Sequence, residues 1–155
     1  MSALAAGLEH DLRYQRLLLG YAGLLPFAAC LGVMVWSEER NWQLHALEGM
    51  RNYAALIASF LGAVHWGVAT DRRQRLQTMR LAWGVTPAVL AWFLLTLPGS
   101  IALFGFAALF TLILLVDLYL LPILDNSYRR LRLQLSGVVV ATLLVAAVVA
   151  PVAPS

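Results

Sequence analysis

A chain of 155 residues could be one soluble domain, but 61% hydrophobic and only 12% charged residues exclude that class. A soluble domain carries about 25% charged residues to keep its surface wet. The net charge of +3 rests on eleven basic residues, all arginine. They gather in short stretches between long apolar runs, where the charge bias of an inner leaflet explains them and nucleic-acid binding need not be invoked. The composition therefore predicts an all-α, polytopic membrane helical bundle, with the lipid bilayer as its surroundings and no nucleic-acid partner.

Residues 1–16 read as an N-terminal cytoplasmic arm, with Leu4, Leu8 and Leu12 at helical spacing among Glu9, Asp11, Arg13 and Arg16. An interfacial helix and a solvated arm fit it equally. The bundle itself is expected over 17–152. Its first span, 17–36, carries Pro26 near its centre and Gly20, Gly23 and Gly32 along it, which predicts a kinked, closely packed helix. Cys30 is the single cysteine, so no intramolecular disulfide can form. Phe27-Ala28-Ala29-Cys30 resembles a lipoprotein cleavage site, but the apolar run continues to Trp36 without a polar break, longer than a signal's apolar core.

A polar connection is expected over 37–51, then a second span over 52–70 ending at Asp71-Arg72-Arg73. The third span, 81–97, contains Pro87 and ends in the hairpin Pro98-Gly99-Ser100. The fourth, 101–121, holds Asp117 in its second half. A basic connection with Tyr128, Arg129, Arg130 and Arg132 leads to the fifth, 135–152, which reaches spanning length only with its last residues included. Four spans with a C-terminal hairpin arm or re-entrant helix are the alternative.

Nine of the eleven arginines fall in the N-terminal arm, the 71–80 loop and the 122–134 loop, all on one side of a five-span chain. The positive-inside rule then puts the N-terminus in the cytoplasm, or the matrix of an organelle, and the C-terminus outside. Trp36 and Trp42 at one boundary, and Tyr14, Trp83, Tyr119 and Tyr128 at the other, suit aromatic belts.

This topology gives depths. His65 lies about 9 Å inside the basic boundary at 1.5 Å per residue, Pro87 about 10 Å and Asp117 about 12 Å or less. With Gly62 as the zero of a helical wheel, Ala55, Ala58, Ser59, Trp66 and Ala69 share its small-residue face with His65 at the margin, and Leu56, Phe60 and Val64 lie opposite. The candidate cluster, for function or for packing, is His65, Trp66, Gly62, Ser59, Trp83, Pro87, Asp117 and Arg132. A carboxylate in apolar surroundings needs a partner. His65 and the arginines Arg72, Arg73, Arg80 and Arg132 are the candidates; capping of a shorter helix end is the other reading.

No nucleophile with its base, phosphate loop or catalytic carboxylate pair appears, so no enzyme activity is expected. No cofactor is expected either. Bis-histidine haem needs a second intramembrane histidine, and His10 and His45 lie outside the spans. Zinc needs three or four spaced ligands. What remains is an accessory, assembly or scaffold subunit working with other membrane proteins or by self-association. The alternative is a proton- or solute-handling carrier built on His65 and Asp117.

Four segments carry a family resemblance: Gly20-Tyr21-Ala22-Gly23-Leu24-Leu25-Pro26-Phe27, Ser59–Gly67 with its His65-Trp66-Gly67, Trp83-Gly84-Val85-Thr86-Pro87, and the tail Pro122 to Arg132. Together, over about residues 17–148, they resemble the uncharacterised multi-pass family that includes mitochondrial transmembrane protein 69 and bacterial inner-membrane relatives. The family's tail has a tryptophan before the tyrosine, where this chain has Ser127. The resemblance implies a small helical inner-membrane protein and transfers no catalytic residue.

Overall fold

The computed structural model describes residues 15, 17–69, 77–120 and 126–151. The N-terminal arm up to Tyr14, the 70–76 segment with Arg72 and Arg73, residues 121–125 and the chain from Val152 lie outside the described residues. Every regular element among those described is helical. A helical segment over 17–22 leads into α1, Leu25–Trp36; then come α2, Arg40–Ala69; α3, Gln77–Leu95; α4, Gly99–Leu120; and α5, Asn126–Val149.

Among the described residues, four stretches are long and apolar enough to cross a membrane: Leu17–Trp36, Gln77–Leu95, Gly99–Tyr119 and Arg129–Val149. The 30-residue α2 is more polar and is not among them. Its packing nevertheless matches it to α4. Leu47 closes on Gly99 at one end and His65 meets Asp117 at the other. Each pair of positions is eighteen residues apart along its own helix, so α2 and α4 run parallel through the same depth of about 27 Å.

Three boundaries differ from the sequence reading. The polar stretch 37–51 is helical from Arg40 onward. Its Gln, Leu, Ala, Glu, Met and Arg residues are strong helix formers, and Ser37 starts the helix by accepting from the Glu39 N–H at 3.3 Å. His45 is consequently on α2, ring to ring with Trp42 at 6.3 Å. The helix of the fifth run begins at Asn126, nine residues before the expected 135, so most of the basic connection is helix. Pro26 does not kink a continuous helix: the chain turns at 23–24 and Pro26 sits in the first turn of α1, where its missing N–H costs nothing. Pro87 by contrast lies buried inside an unbroken α3.

Phe27 ties the core together, stacking edge-on against Tyr53 of α2 at 5.0 Å and Phe110 of α4 at 6.3 Å. Around it lie Met34, Met50, Leu103, Phe106, Ile113 and Leu143, all buried. Outward-facing residues are also large and apolar, among them Leu56, Phe60, Trp92 and Phe93, as a lipid-facing surface requires. Trp36, Trp42 and Tyr119 are exposed. Trp83 is not a belt residue: it packs against the core.

Candidate functional site: a histidine, aspartate and arginine cluster

Three helices deliver three polar side chains to one point. His65 Nε2 lies 2.7 Å from Asp117 Oδ1. Asp117 Oδ2 accepts from Arg132 through both Nε, at 2.7 Å, and Nη2. His65 is 0% exposed and Asp117 7%. Both carboxylate oxygens act as acceptors, so the imidazole donates to Asp117 from Nε2. Its Nδ1 has no hydrogen-bond partner among the described residues. Two guanidinium N–H groups thus converge on one carboxylate oxygen while His65 takes the other; such charge-assisted bonds are stronger than neutral ones and answer the cost of a carboxylate in apolar surroundings. Arg80 is buried at the same end of the bundle.

The positions follow from local sequence. Leu47, Met50, Ala54, Ala58, Gly62 and His65 form the buried stripe of α2. Its midline runs through His65, not through Gly62. Trp66, expected on the small-residue face, therefore falls at the margin, half exposed. Its indole N–H donates to the Leu81 carbonyl at 3.0 Å, and its ring lies directly against Gly84, where any Cβ would overlap it. Gly62 faces the same crossing from α2: a Cβ there would stand 2.7 Å from the Gly84 carbonyl oxygen and 3.1 Å from Pro87 Cγ. These glycines let α2 and α3 touch backbone to backbone.

Matched against residues 13–148 is the family described as Protein of unknown function (DUF3429). The chain belongs to that family. It is also similar to Transmembrane protein 69 of Xenopus tropicalis, 31% identical over 131 residues, which cover 82% of this chain and 51% of that protein. The chain thus spans about half the length of that curated relative. No solved structure matches.

Of the eight candidate positions in this DUF3429 member, His65, Asp117 and Arg132 form the cluster. Gly62, Trp66 and Pro87 form the α2/α3 crossing next to it. Trp83 packs against the core with its indole nitrogen unpartnered among the described residues. Ser59 is not part of the cluster: its hydroxyl donates back to the Ala55 carbonyl at 2.8 Å and it lines a groove between α2 and α3.

Arg51 escaped the sequence reading. From α2 it donates through Nη2 to the carbonyls of Leu95 at 2.6 Å and Leu97 at 2.8 Å, capping the C-terminus of α3. The available signal was an arginine opposite a Pro-Gly hairpin whose last helical carbonyls need donors.

Proposed function

We propose that this protein is a non-enzymatic accessory, assembly or scaffold subunit of a bacterial inner membrane, or of the mitochondrial inner membrane if organellar. Its five helices cross the membrane with the basic end in the cytoplasm or matrix. The observation that supports the association reading is an open groove of about 380 Å³ between α2 and α3, floored by Ala55, Ser59, Ala88 and Ala91 and edged by Asn52 and Trp92. In a bilayer, helices associate through small residues that let backbones approach, with Asn or Ser bonding across the seam. The groove offers both, so its natural occupant is a transmembrane helix of a partner subunit or of a second copy. The His65 cluster then serves as an internal clamp that holds the bundle's shape.

A photo-crosslinking residue placed at Ala55 in native membranes should capture a discrete adduct, and Ala88→Leu should abolish it without changing the protein's level. A wild-type protein that forms no adduct and runs as a lone monomer after mild solubilisation would sink this reading. One observation favours the carrier reading: the buried Nδ1 of His65, which has no hydrogen-bond partner among the described residues. In that case His65→Ala and Asp117→Asn would abolish a proteoliposome flux while leaving the fold intact, and loss of folding in both would return the cluster to a structural role.

A further inference from the structure

A second opening, distinct from the association groove, lies between the 17–24 segment, α2 and α5. This cleft of about 380 Å³ is walled by apolar groups, including Gly20, Leu24, Ile57, Phe60, Leu135 and Val139. Two polar side chains join the wall, Arg132 and Ser136. An apolar void beside hydrocarbon forfeits dispersion contacts on its open side and is best filled by something shaped like a chain. The cleft also has a charged end. Arg132 engages Asp117 through Nε and Nη2, which leaves the two N–H groups of Nη1 outside that pair. Arg129, exposed, lies three residues earlier on α5 and so 60° away around the helix. Arg132 is six residues from the start of α5, about 9 Å inside it, within reach of the headgroup layer for a long side chain.

An apolar channel that runs along α5 from Val139 to Leu131 and includes the Arg132 side chain, with Arg129 exposed one turn nearer the helix start, is complementary to one class of membrane component. We infer that this cleft binds one anionic phospholipid, with an acyl chain along Leu135 and Val139 and the phosphate on Arg132 Nη1 and Arg129. Basic pockets between helices on the cytoplasmic side recognise acidic headgroups in this manner. A zwitterionic lipid would bring its own ammonium toward the same arginines. A partner helix would need a carboxylate at this depth, which is costly to carry there.

The test is native mass spectrometry of the detergent-purified chain supplied with equal phosphatidylglycerol and phosphatidylcholine. Wild type should retain one phosphatidylglycerol in preference to phosphatidylcholine. Arg129→Gln should weaken that retention about fivefold, the effect of one arginine near an anionic surface. Val139→Trp, which fills the cleft, should lose it, whereas Val138→Trp on the exposed neighbouring face should not. Equal retention of both lipids, or full retention by Val139→Trp, overturns the site. So does displacement of the lipid by inorganic phosphate, or a lipid-free dimer that Val139→Trp dissociates, which would assign the cleft to a second copy. The Arg129→Gln arm leaves the cleft untouched and stands if Val139→Trp fails to fold.

Discussion

His65 on α2 and Asp117 on α4 meet at 2.7 Å, eighteen residues beyond the point where Leu47 closes on Gly99. Two parallel helices are thus pinned at both ends, and Arg132 extends the lower pin to α5. Removing Asp117 strands a part-buried guanidinium and the His65 Nε2 together; removing His65 costs one hydrogen bond. Asp117→Asn should therefore destabilise by about 3–5 kcal/mol and His65→Ala by about 1–3 kcal/mol. Unfolding in mixed micelles measures both, and the double variant should fall short of their sum. Strict additivity would mean the pair does not act as a unit.

Gly84 and Trp66 make a sharper test of packing. The indole occupies the space of any Cβ at position 84, so Gly84→Ala should cost about 1–3 kcal/mol. In a Trp66→Ala background the same change should become neutral. Gly137 has nothing within 4 Å of its would-be Cβ, and Gly137→Ala should gain about 0.5–1 kcal/mol from helix propensity. Thermal unfolding in detergent distinguishes the three.

Arg51 holds the carbonyls of Leu95 and Leu97. Arg51→Ala leaves α3 without its cap and should destabilise by about 1.5–3 kcal/mol, the range for bonds to a charged donor. Amide exchange should rise first at the α3–α4 turn, around Thr96 and Leu97. Unchanged protection there would remove the cap from the account.

Sidedness can be read chemically. In a Cys30→Ser background, Arg129→Cys and Glu38→Cys place thiols at opposite ends of the bundle. An impermeant maleimide applied to intact cells should label Glu38→Cys alone, and Arg129→Cys only after the membrane is opened. The reverse pattern would invert the topology and remove the basis for a cytoplasmic phospholipid site.

Much of the architecture was legible because a bilayer imposes one dimension. Apolar length marked the spans, and counting 1.5 Å per residue put His65 and Asp117 at similar depth. What counting could not supply was the helix continuing through Arg40–Arg51, because polar helix formers are as compatible with a helix as with a loop. Nor could it choose Arg132 among four arginines of similar depth. Arg51 was invisible for the same reason: its partners are backbone carbonyls of a helix contacted only after folding.

The sequence by itself determined that this is a helical membrane protein, which end is basic, and which polar residues gather at that end. Those are properties of length, hydropathy and charge, additive along the chain. Only the tertiary structure decided rotation and partnership: that His65, not Gly62, lies on the midline of the buried stripe, and that Asp117 binds His65 and Arg132 together. Rotation depends on how two surfaces fit, here Gly62 and Gly84 admitting Pro87 and Trp66. That fit belongs to neither helix alone.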